Sequence, residues 1–235
     1  SPTAATPLYG RSADNIRDHR HVTSLLHRIE TTDIGVLVTP TLSFDERGHQ
    51  VNHMTYYCVG WSGNGEKPVD FYPTAEDFVG EGGNFERPYA IVKNAEGVKA
   101  GTRIEGLEAV GGLHFSEVTL EPEEECSYLI FTGITEDIQE IRNLSKTYTT
   151  REMVLEELEK TKAYWQEKVN VAYHTGDSDF NQFMHWVSFQ PILRRIYGCS
   201  FLPHHDYGKG GRGWRDLWQD CLALLIMNPD GVRQM

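Results

Sequence analysis

The densest run of chemically capable side chains is 204–220, His-His-Asp-Tyr-Gly-Lys-Gly-Gly-Arg-Gly-Trp-Arg-Asp-Leu-Trp-Gln-Asp. Asp216 and Asp220 stand four apart, so on a helix they share one face, with Gln219 adjacent. Carboxylates so placed could accept paired hydrogen bonds from sugar hydroxyls. The guanidinium forks of Arg212 and Arg215, beside free helix N–H groups, suit phosphate. Trp214 and Trp218 could offer flat faces to pyranose rings. A plainer assignment of the same residues is a helix capped by Asp216, two core indoles and an Arg215–Asp220 salt bridge, since capping aspartates are common.

Two other chemistries fit this segment poorly. Gly208-x-Gly210-x-x-Gly213 has the spacing of a dinucleotide fingerprint, which needs a preceding hydrophobic strand and an acidic residue about 20 positions later. Cys199-Ser-Phe-Leu-Pro-His-His-Asp-Tyr207 is no such strand, and the residues after Gly213 read as helix. No Lys-Ser/Thr pair closes the glycine run, so it is not a Walker loop either. His204, His205 and Asp206 are metal-ligating types, but adjacent residues rarely ligate one ion together and no spaced His or Cys supports them. They read as pocket-lining loop residues, and no metal is assigned.

The elements that must position this segment fall into two kinds. The first two-thirds reads as antiparallel β. Gly35–Phe44 is a β-branched run closed by the turn Asp45-Glu46-Arg47-Gly48, and Met54–Trp61 is a second strand closed by Ser62-Gly63-Asn64-Gly65. Further strands are expected at Tyr89–Lys93, at Cys126–Ile134 and at Ala109–Thr119, the last half-buried by its imperfect alternation. Such spacing suggests a sandwich. Between them Tyr72–Pro88 reads as a long ordered loop. Near the start, Arg11–His21 carries helical charge pairs, and Val22–His27 looks like its buried continuation.

From Met153 the pattern becomes helical on a charged body, with Met153, Val154, Leu158, Thr161, Trp165 and Val169 on one stripe and Thr149 or Thr150 as cap. A second helix is expected from Asp179 to about Tyr197, kinked or broken at Pro191. A third starts around Arg215 and runs through Met227. The division is 1–148 β-sandwich domain, 149–176 linker helix region and 177–235 the opening of an α domain.

Composition removes several classes of function. The 235 residues are 39% hydrophobic with a net charge of −12, which suits an ordinary folded core and disfavours non-specific attraction to nucleic acid or anionic lipid. Cys58, Cys126, Cys199 and Cys221 are widely scattered with no CxxC pair, which favours reduced thiols in a cytoplasm. The apolar run Cys221–Met227 is far too short to span a bilayer. Ser1-Pro2 opens without methionine, and Asn228-Pro229 resembles the cap and first residue of another helix. The chain is therefore expected to be a piece of a longer polypeptide.

The Phe78-Val79-Gly80 segment with its following Pro88, the charged linker helix and Gly213-Trp214-Arg215-Asp216-x-x-Gln219-Asp220 together resemble glycoside hydrolase family 94, the inverting phosphorylases of β-linked glucosides. The Arg11–Arg28 segment and Trp218 are most like the 1,2-β-oligoglucan phosphorylases of that family. The resemblance implies a multi-domain α+β fold: an antiparallel β-sandwich, a linker helix and the first helices of an (α/α)6 barrel, truncated at 235. It implies a sugar-binding role for Asp216, with Arg215, Arg212, Lys209, Gln219, Asp220 and Trp214 around it. The family usually carries an arginine six residues before that aspartate. Here the position is Gly210, and either Lys209 or Arg212 could supply the charge. No catalytic residue is assigned, because the family's general acid lies further along the barrel, downstream of Met235. No cofactor is implied, with inorganic phosphate as co-substrate. The other partners implied are a β-linked gluco-oligosaccharide, the remainder of the polypeptide and a second subunit in a homodimer.

Overall fold

A computed structural model describes residues 1–10, 22–45, 48–197 and 214–234, with 43–45, 48–50, 196–197, 214, 216 and 234 described by backbone alone. It divides into two compact units, Ser1–Val154 and Leu155–Met235.

The first unit is built on two antiparallel sheets. One orders β1 (Thr3–Pro7), β9 (Ala109–His114) and β7 (Asp70–Thr74). The other orders β10 (Tyr128–Thr135), β6 (Thr55–Ser62), β3 (Gly35–Val38), β2 (Arg28–Thr31) and β8 (Arg103–Glu105). Alternate residues of each strand point to opposite faces, so Ala109, Leu113 and Phe115 join Val36, Val38, Cys58 and Phe71 in the core between the sheets. The other face of β9 and β7 is buried too. There Val110 and Tyr72 pack with Phe78, Val79 and Ala90 of two short helices, α1 (Ala75–Val79) and α2 (Tyr89–Lys93). The other face of the larger sheet is covered by α3 (Ile138–Thr147), through Ile141 and Leu144 against Leu37, Val59, Trp61 and Leu129.

Several sequence expectations change at this level. Pro40 ends β3, because a proline cannot donate to the ladder, and the chain resumes as the hairpin of β4 (Leu42–Asp45) with β5 (Gly48–Val51). Tyr89–Lys93 is helix, not strand, entered from extended Pro88 and closed by Asn94 in the left-handed region. Tyr72–Pro88 is not one loop: β7 covers its first residues, and Thr74 caps α1 by accepting from the Asp77 N–H at 3.0 Å. β9 is buried on both faces instead of half-buried. In the continuation Val22–His27, Thr23 and His27 are buried, while Val22 and Leu25 are exposed. The charged run 11–21 lies outside the described residues.

α4 (Arg151–Lys168) begins where the charged helix is expected and extends from the first unit into the second along the chain. Its apolar stripe is divided between two cores. Val154 packs with the outer-face core of the sandwich, whereas Trp165 meets Phe189 edge-on at 4.8 Å within the second unit. Met153 and Leu158 are exposed. The second unit is completed by α5 (Ser178–Tyr197), α6 (Trp214–Met227) and a 3-10 turn at Val232–Gln234. Asp177 caps α5, accepting from the N–H groups of Asp179 and Phe180 at 2.9 and 3.1 Å. Pro191 lies inside α5 and does not end it, because the packing of Ile192 with Val169 and Leu224 holds the helix past the proline.

Candidate functional site

The segment richest in chemistry falls at the start of α6. This helix opens at Trp214, so the backbone puts Asp216 at the third helical position and not at the cap. Lys209, Arg212, the glycines 208, 210 and 213, and His204, His205 and Asp206 lie outside the described residues. Of the remaining candidates, Arg215 and Gln219 are exposed, and Trp218 is 61% exposed. Trp218 lines an apolar cleft of about 800 Å³ with Leu217, Leu222 and Leu225 of the same helix and Val232 beyond it. An exposed indole beside open apolar surface is the arrangement that stacking on a sugar ring requires.

Asp220 is placed differently from its neighbours. It is 4% exposed, and both carboxylate oxygens are engaged by one guanidinium: Arg194 Nε donates to Oδ2 at 2.7 Å and Nη2 to Oδ1 at 2.5 Å. The partner of Asp220 is thus on α5. Two parallel charge-assisted bonds satisfy a carboxylate that would otherwise be costly to bury. Apolar packing flanks the pair, with Ile192 and Leu224 fully buried beside Val169. The next residue, Arg195, donates from Nη1 to the carbonyls of Asn228 and Asp230 at 3.0 and 2.9 Å. Asn170 Nδ2 donates to the Met227 carbonyl at 2.9 Å. Carbonyls at a helix C-terminus lack intrahelical partners, and a cation also complements the negative end of the dipole.

Sequence patterning did not single out Arg194 and Arg195. A pair of arginines late in a helix is ordinary, and only the packing of α5 on α6 brings them to Asp220 and to the end of α6.

The first unit holds a buried polar cluster of its own on the face of β7 and β9 toward α1 and α2. Asp70 and His114 are register partners, and His114 Nδ1 lies 2.8 Å from Asp70 Oδ1. Lys99 Nζ stands 3.9 Å from the other carboxylate oxygen. Tyr72 donates its hydroxyl to the Ala95 carbonyl at 2.6 Å, and burial, reinforced by Asp70, raises its pKa. These contacts tie the 94–99 loop to the sheet. Among the described residues no group of three His, Cys, Asp or Glu comes together to hold a metal ion, and no helix is long and apolar enough to cross a membrane.

The family model described as the glycosyl hydrolase 94 supersandwich domain matches residues 12–151, well over half of the chain. Its span takes in both sheets and the helices packed on them, except β1 and the first residues after it. No curated protein matches the chain.

Proposed function

The chain belongs to glycoside hydrolase family 94, a family of glycoside-active enzymes, and on that premise we propose that its polypeptide is an inverting phosphorylase of β-linked gluco-oligosaccharides, with β-1,2 linkages preferred. The observation that carries this reading is Trp214-Arg215-Asp216-Leu217-Trp218-Gln219-Asp220 on the first two turns of α6, in a chain whose sandwich matches the family.

In this reading Asp216 accepts hydrogen bonds from the sugar in the donor subsite, with Arg215 and Gln219 beside it and Trp218 or Trp214 under a ring. Lys209 and Arg212 supply the cationic charge for phosphate near the N-terminal end of α6, where the dipole and free N–H groups favour an anion. A carboxylic acid downstream of Met235 protonates the glycosidic oxygen while phosphate attacks the anomeric carbon from the opposite face. The β-glucoside thereby becomes α-glucose 1-phosphate. Phosphate is already an anion and takes the place of water, so no second carboxylate is needed as base. No cofactor takes part.

The helical unit is then the opening of an (α/α)6 barrel, and the chain divides as 1–148 sandwich, 149–176 linker and 177–235 barrel. A homodimer belongs to the same reading, supported by the exposed Leu155, Leu158 and Tyr164 on α4. So does a cytoplasmic location, supported by Cys58, Cys126 and Cys221 as free thiols. The test is a panel of β-1,2-, β-1,3- and β-1,4-linked oligoglucosides incubated with the full-length protein and phosphate. Sugar phosphate is expected from the β-1,2 series first. Turnover confined to another linkage would contradict the linkage assignment.

A further inference from the structure

We infer that Arg194 is a positioning residue for the sugar-binding turn of α6, an inference that rests on the role proposed above for Asp216. Asp220 lies four residues, about 6 Å of rise or just over one helical turn, beyond Asp216. Both of its carboxylate oxygens are occupied by the Arg194 fork, and the pair is nearly closed to solvent, with side-chain exposures of 16% and 5%. Asp220 is the point at which the signature helix is gripped.

The form of the contact matters. Apolar packing is non-directional, so the contact of Leu224 with Ile192 and Val169 does not by itself single out one orientation of α6. A bidentate guanidinium–carboxylate pair is planar and admits one orientation. Buried ion pairs contribute little net stability against a well-packed apolar replacement, and their best-attested use is to fix register. Arg195 completes the grip by holding the carbonyls of Asn228 and Asp230 past the last turn. Two consecutive arginines of α5 thus set the rotation and the axial position of the helix that carries Asp216, Gln219 and Trp218.

The test uses the full-length protein with Arg194→Met, Arg194→Lys and Arg195→Met, read by amide hydrogen exchange and by steady-state kinetics. Arg194→Met is expected to speed exchange of the hydrogen-bonded amides over 218–222 by about tenfold, whereas Arg195→Met acts over 224–228. A misplaced binding group raises the KM for oligoglucoside by about 10- to 100-fold in Arg194→Met. Arg194→Lys keeps the charge without the fork, so it should restore the thermal midpoint and leave KM raised. It also serves if the methionine variant does not fold. Unchanged exchange over 218–222, or a kcat that falls only with the folded fraction at constant KM, would overturn the positioning role. A wild-type enzyme without phosphorolysis would instead overturn the reading of the site, and the exchange pattern would still decide whether Arg194 holds the turn.

Discussion

Cys58 and Gly111 meet face to face between the two sheets: a Cβ on Gly111 would lie 2.2 Å from that of Cys58 and 3.0 Å from its sulfur. The sheets approach this closely because one of the two facing residues has no side chain. Gly111→Ala is expected to destabilise the sandwich by about 1–3 kcal/mol through overpacking, measured by urea unfolding of this chain. Adding Cys58→Ala should not restore stability, because the Cβ atoms themselves collide. A neutral Gly111→Ala would contradict the spacing.

The same burial pushes the Cys58 thiol up to about 12. The folded thiol keeps its proton to higher pH than the unfolded one, so deprotonation favours the unfolded chain. The stabilising difference is intact below about pH 9 and is lost as pH rises toward 12, with a slope on the order of 1.4 kcal/mol per pH unit. Denaturant midpoints measured from pH 8 to 11 should fall more steeply in the wild type than in Cys58→Ala. The half-buried Tyr57 and the buried Tyr72, whose pKa values are also raised, act in the same direction in both proteins.

Asp70 and His114 should behave asymmetrically under substitution. His114→Ala leaves a nearly buried carboxylate with Lys99 at 3.9 Å as its remaining ion-pair partner among the described residues, and should cost about 1–3 kcal/mol. Adding Asp70→Asn removes the uncompensated charge, so the second substitution should cost less in the His114→Ala background than alone. Strict additivity in the double-mutant cycle would show that the two do not interact.

The sandwich was largely legible in the sequence where turn chemistry was explicit. The turn Asp45–Gly48 marks the β4–β5 connection, and Ser62–Gly65 closes β6. It was not legible where burial overrides periodicity. β9 reads as half-buried because glycines at 111 and 112 interrupt its alternation, yet a sheet on one side and helices on the other bury both faces. Tyr89–Lys93 has strand-like composition, but Pro88 before it and Asn94 after it close a helical turn, a case of caps outweighing side-chain propensity. In the candidate site, types and spacing single out Trp214–Asp220 as a segment capable of chemistry. The engagement of Asp220 by Arg194 was not legible, because it joins residues 26 positions apart through helix packing.

Asp216→Ala separates a binding role from a structural one. The residue stands inside the first turn of α6, past the capping position, so its removal should change stability by no more than about 1 kcal/mol. Activity of the full-length enzyme should fall by about 10²-fold or more if the group positions the sugar. Unaltered activity with lowered stability would assign Asp216 to the helix alone.

Phosphorolysis with inversion, as proposed for this family member, is read out in the anomeric configuration of the product. Full-length protein, a β-1,2-linked oligoglucoside and inorganic phosphate, monitored by phosphorus and proton NMR, should yield α-glucose 1-phosphate, with no turnover when phosphate is omitted. Free glucose released at the same rate without phosphate, or a β-configured sugar phosphate, would contradict it.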